Sequence, residues 1–90
     1  MKQRDYLLQA RHVAAKSLKK QGKLSDAGGQ IAAALEPLEE MLRNLTGPDR
    51  GFLTARADVA AFRAEAEELL RSQNRARDLE RLAVSFQPAP

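Results

Sequence analysis

Gly22-Lys23-Leu24-Ser25-Asp26-Ala27, followed by Ile31 and Ala34, is the stretch on which the fold turns. Upstream of it, Leu7, Ala10, Ala14 and Leu18 recur at spacings of three and four, and Tyr6 and Val13 widen the same face. That spacing predicts an amphipathic helix from about Gln3 to Gln21. Gly22 is a natural stop, because glycine takes the left-handed conformation without a Cβ clash. Lys19, Lys20 and Lys23 fall near the negative end of the helix dipole, where cations are favoured. Downstream, Ser25 reads as an N-cap and Leu24 as a hydrophobic staple. Ala27, Ile31, Ala34, Leu35, Leu38, Leu42 and Leu45 then form a second apolar stripe. The stretch is the turn of a helical hairpin.

Two features strain the second helix. Gly28-Gly29 weakens its first turn by roughly 1 kcal/mol per glycine. Pro37 removes a ladder hydrogen bond and crowds the preceding turn. The stripe keeps its phase across Pro37, which predicts a kinked helix; the rival is a break, with Pro37 opening a new helix. Thr46-Gly47-Pro48-Asp49-Arg50-Gly51 reads as a loop. A third helix is expected from about Phe52 to Ser72, with Phe52, Ala55, Val59, Phe62, Ala66 and Leu69 on one face. After Asn74 the phase slips, and Leu79, Leu82, Ala83 and Phe86 make a fresh stripe. This is either a short fourth helix from about Arg75 or a bent continuation. No internal repeat is evident. The expected fold is all-α: an up-down-up three-helix bundle over 1–73, a C-terminal amphipathic extension over 74–86, and a tail over 87–90.

Ninety residues make one small domain with a limited core. There is no cysteine, which excludes disulfides and thiolate metal sites and fits a reducing compartment. No apolar run is long enough for a membrane span. The first residues lead into a polar helix rather than a signal core, so a soluble, cytoplasmic protein is expected. The abundance of Ala and Arg points to a GC-rich genome, bacterial or phage.

Charge is uneven along the chain. Lys2, Arg4, Arg11, Lys16, Lys19, Lys20 and Lys23 face only Asp5 in residues 1–23, a net +6. Residues 24–50 carry −3 and residues 51–73 carry −1. His12, Lys16, Lys19, Lys20 and Lys23 share one face of the first helix. Such a stripe could track phosphates or steer an acidic protein. Nucleic acid is the weaker expectation, since aromatic residues are not interleaved with the cations.

Little else carries chemistry. His12 is the only histidine and is expected at the surface or its boundary. One His without Cys builds no metal site. Ser17, Ser25, Ser72 and Ser85 lack a base partner. The glutamates are spaced as solvated helix faces. No enzyme activity and no cofactor are expected. The stripe Leu79, Leu82, Phe86 either caps the bundle or pairs with a partner or a second copy.

The pattern from Gly22 to Leu69 resembles the MIT (microtubule-interacting and trafficking) domain. Gly22, Leu24, Asp26 and Ala27, then Ile31 and Ala34, match its first interhelical turn and second helix. Arg56-Ala57, Phe62 and Ala66-Glu67-Glu68-Leu69 match its third helix without a gap. The stretch from Gly22 to Ala34 is also similar to tetratricopeptide-repeat hairpins. Gly28, Pro37 and Glu65 depart from the MIT pattern. The resemblance implies a groove between helices 2 and 3 that takes a partner's amphipathic helix. Leu38, Met41, Leu42, Leu45, Ala55, Val59, Phe62, Ala66 and Leu69 would then divide between core and groove. The resulting expectation is a non-enzymatic adaptor that binds a helix or peptide of another protein, of the kind a phage or plasmid could use against a host protein. The alternatives are a nucleic-acid-binding protein working through the helix 1 lysines and a homo-oligomeric structural protein, a homodimer in its simplest form.

Overall fold

The structure, a computed structural model, describes residues 2–45 and 47–87. Five helices follow one another: α1 (Lys2–Lys20), α2 (Leu24–Arg43), α3 (Gly47–Ala55), α4 (Ala57–Ser72) and α5 (Ala76–Ser85). Among the described residues there is no strand.

The turn after α1 is a Schellman motif. Gly22 takes φ +78°. The Lys23 amide donates to the Leu18 carbonyl at 2.9 Å, and the Gly22 amide to that of Lys19 at 3.0 Å. This satisfies two carbonyls that the helix end would leave open. The same turn recurs after α4. Asn74 takes φ +55° there. The Arg75 amide donates to the Leu70 carbonyl at 2.9 Å, and the Asn74 amide to that of Arg71 at 3.2 Å. The flanking residues run in step: Leu18-Lys19-Lys20-Gln21-Gly22-Lys23 against Leu70-Arg71-Ser72-Gln73-Asn74-Arg75. The chain therefore does hold a local repeat, of a turn rather than of a whole unit. Each turn also starts the next helix: Ala27 donates to the Lys23 carbonyl at 3.0 Å and Leu79 to that of Arg75 at 2.9 Å. Ser25 consequently lies inside α2, and the N-cap, Lys23, makes no side-chain capping bond.

α2 runs unbroken through Pro37, whose ring is buried. The expected loop at 47–51 is instead the first part of α3, with Thr46 outside the described residues. Pro48 sits in the first turn, where a missing N–H costs nothing, and Asp49 lies at the favourable end of the dipole. The expected third helix is divided at Arg56, whose ψ of 138° is extended. The division shifts the phase of the stripe. Phe52 is 74 % exposed and Ala55 is exposed, while Leu53 turns inward.

Helix directions follow from cross-helix pairs. Arg4 pairs with Glu40, and Arg11 Nη1 donates to Gln30 Oε1 at 3.0 Å, so α1 and α2 are antiparallel. α4 runs beside α1 in the same direction, joined by Asp5–Arg56, Gln9–Asp58 and Lys19–Glu65. α5 runs beside α2, with Arg75 close to Gly28 and Arg81 on Glu39.

α2 is the central element and buries the most side chains, among them Ile31, Leu35, Leu38 and Leu42. Leu8 and Ala15 meet them from α1, Val59, Phe62, Ala66, Leu69 and Leu70 from α4, and Leu82 from α5. The charge imbalance read along the chain is partly settled inside the bundle. Arg4 and Lys19 of the basic segment bind acids of α2 and α4.

Candidate functional site

The crevice between α2 and α4, the place where the resemblance puts a partner helix, is filled by the chain's own α5. Leu82 is 1 % exposed and belongs to the core, and Leu79 and Phe86 pack against it partly buried. Burying a leucine of this kind stabilises the docked state by about 2 kcal/mol. Arg81 grips Glu39 on α2 with two hydrogen bonds, Nη2 to Oε1 at 2.6 Å and Nε to Oε2 at 3.2 Å. That carboxylate holds the Arg81 guanidinium pKa above its ordinary value. On the other wall, the Arg63 guanidinium of α4 lies 4.9 Å from the centre of the Phe86 ring. At the turn, a Cβ on Gly28 would meet Gln73 Cγ at 3.2 Å and Arg75 Nε at 3.3 Å, so glycine there admits the close approach of the α4–α5 connection.

The groove candidates sort as follows. Leu38, Met41, Leu42, Val59, Phe62, Ala66 and Leu69 are all buried, and Leu45 is half-buried. Ala55 is exposed on α3 and lies apart from the crevice core. The sequence leaves α5 open between a separate helix and a bent continuation, although Asn74 signals the break: asparagine is the residue after glycine that most readily takes a left-handed helix end.

The basic stripe is reorganised. Lys16, Lys20 and Lys23 are exposed, and among the described residues none has a carboxylate partner. Lys19 bridges Glu68 at 3.1 Å and Glu65 at 3.2 Å, and these bonds raise its pKa. Val13, Lys16, Ser17, Lys19, Lys20 and Glu65 line an open groove of about 710 Å³ between α1 and α4.

His12 is not at the surface. It is 4 % exposed, and its ring meets Phe62 edge-on with centroids 5.4 Å apart. The one-turn spacing to Leu8 and Lys16 hid this, because the burying partner belongs to α4. Burial, reinforced by Lys16, lowers its pKa below the usual histidine value.

At the start of α4, Arg56 binds Asp58 through Nη2 at 2.6 Å and Nε at 3.0 Å, and Asp5 of α1 at 3.0 Å. Asp58 is held ionised below the usual aspartate range by that guanidinium. The group clamps the chain where it leaves α3. Among the described residues no cluster of three metal-ligating side chains occurs, and no helix is long and apolar enough to cross a membrane. Comparisons of the chain with protein-family models, with curated proteins and with solved structures find no match.

Proposed function

We propose that this protein is a non-enzymatic helix-binding module, and that the α2–α4 crevice is its binding groove. The observation that carries the reading is the seating of α5. An amphipathic helix of ten residues, joined by a short turn, lies in that crevice with an apolar residue inside and an arginine on Glu39. A partner helix of the same chemistry would present a leucine to the core, an arginine to Glu39 and an aromatic ring to Arg63. The burial of the lone histidine supports a reading without catalysis, because its ring is closed off from any substrate. The MIT-like pattern supports the same groove.

The test uses the full chain and a labelled peptide of residues 75–87. In the Leu79→Asp/Phe86→Asp variant the cis helix is loosened while buried Leu82 is retained. Anisotropy should show saturable peptide binding to this variant, at least tenfold weaker binding to the wild type, and none of a scrambled peptide. A helical variant that ignores the peptide sinks the proposal.

A second reading rests on the lysines that have no carboxylate partner among the described residues. Lys16, Lys20 and Lys23 form an exposed cationic surface that would suit an acidic partner or nucleic acid. DNA or RNA binding that falls steeply with salt, and disappears on reversing these three charges, would favour nucleic acid over the helix-binding reading.

A further inference from the structure

His12 is a buried polar group whose proton chemistry the helix-binding reading does not use. It sits on α1 where that helix meets α4, and its buried Nε2 has no hydrogen-bond partner among the described residues. The nearest ring, Phe62, stands at 84° to it and offers no oxygen acceptor. A neutral imidazole can leave Nε2 as a bare acceptor, at the modest cost of one unmade bond. The imidazolium carries N–H groups on both nitrogens, so a donor and part of a positive charge would be enclosed without an acceptor.

The surroundings do not offset that cost. Lys16, from the same helix, opposes the cation, whereas Asp58 and Glu65 of α4 favour it. Both carboxylates are already committed elsewhere. Asp58 binds Arg56 and accepts from Gln9 Nε2 at 2.7 Å, and Glu65 binds Lys19. None of the charged groups acting on His12 comes from α2.

We propose that His12 is an acid-sensitive catch on the α1–α4 seam: its neutral ring lets the seam close, and protonation parts α1 from α4. The contribution to stability is fully present above the unfolded-state value of 6.5 and is lost as pH falls below it, because the opened chain then binds the extra proton. Two ion-paired carboxylates, Glu40 and Asp58, act in a lower window. They are depressed from 4.5 and 3.8, so their contributions are lost only below those values. The interval between pH 7.5 and 5.5 therefore isolates the histidine.

The experiment compares untagged wild type with His12→Leu. The wild-type melting temperature should fall by roughly 5 °C between pH 7.5 and 5.5, and that of His12→Leu should stay level. Because the chain has no cysteine, nitroxides placed at Val13→Cys and Ala64→Cys report the seam directly. Their distance distribution should broaden at pH 5.5 with His12 present and stay narrow in His12→Leu. Should His12→Leu fail to fold, the lone imidazole of the wild type can be titrated by NMR. Parallel melting curves, an unchanged label distance at pH 5.5, or an imidazole midpoint at or above 6.5 would overturn the proposal.

Discussion

Arg81 on α5 and Glu39 on α2 form a two-point salt bridge, 2.6 Å from Nη2 to Oε1 and 3.2 Å from Nε to Oε2. The planar guanidinium matches both carboxylate oxygens, which gives the docked helix a register as well as an attraction. Asp78, one turn earlier, touches the same guanidinium at 3.4 Å and adds to the grip. The pair is about one-third exposed, so water screens much of its Coulomb energy. Arg81→Ala should therefore cost only about 0.5–1 kcal/mol in urea unfolding. Its larger effect should be local, as faster amide exchange in α5 than in α2. The charge swap Arg81→Glu with Glu39→Arg should recover part of the loss. Equal exchange in the mutant and wild type would show that the apolar contacts of Leu79, Leu82 and Phe86 seat the helix without the ion pair.

The glycine pair at the start of α2 separates two effects. A Cβ on Gly29 meets nothing closer than Arg75 Nη2 at 4.0 Å, so Gly29→Ala should stabilise the helix by about 0.5–1 kcal/mol. Gly28→Ala gains the same propensity but must push Gln73 and Arg75 by a few tenths of an ångström. Both obstructing atoms belong to flexible side chains, so the substitution should be close to neutral. Chemical denaturation of the two variants measures the close approach as the difference between them.

The two Schellman turns make opposite predictions. Asn74 holds a left-handed conformation that glycine adopts without a Cβ clash, so Asn74→Gly should stabilise by about 0.5–1 kcal/mol. At Gly22 no atom of the described residues crowds the Cβ position, yet φ is +78°, so Gly22→Ala should destabilise by about 1 kcal/mol through backbone strain. Thermal melts of the pair check both signs.

Phe62 is fully buried against His12 and is among the largest enclosed side chains. Phe62→Ala should cost about 3–5 kcal/mol. A chain of 90 residues has a total stability of order 5–13 kcal/mol, so the loss removes roughly a quarter to all of it and the variant should melt far below the wild type. Phe62→Leu should fold, at a lower melting temperature. Circular dichroism distinguishes the outcomes.

The seam between α1 and α4 also ties to pH through Asp58. Arg56 depresses its pKa, so the folded form favours the carboxylate and stability is lost as pH falls below 3.8. Asp58→Asn should flatten the acid limb of a melting-temperature profile below that value while leaving the range above 5.5 to His12.

Much of the fold is written in local pattern. Gly22 in its left-handed turn is a property of a few neighbouring residues, and it stands where glycine and the preceding lysines place it. The same holds for the apolar stripe of α2, whose buried residues follow the spacing of three and four through Pro37. The failures share a cause as well. Arg56 ends a helix that its own neighbours would continue, because Asp5 on α1 and Asp58 together hold it. Gly47 to Gly51 carries loop-forming residues, yet it forms the first half of a short helix packed on α4. Two of the five residues of the basic stripe, His12 and Lys19, differ from the local reading for the same reason. His12 went inside because Phe62 covers it, and Lys19 left the free cations because Glu65 and Glu68 take it.

What the sequence determined by itself was helical class, the hairpin turn and the buried face of the second helix, since each depends on spacing within a few residues. Tertiary structure alone decided the seating of α5 in the α2–α4 crevice and the enclosure of His12. Those outcomes depend on which faces meet across gaps of more than thirty residues, as Arg81 meets Glu39. An amphipathic stripe states that a face must be covered; it carries no address for the element that covers it.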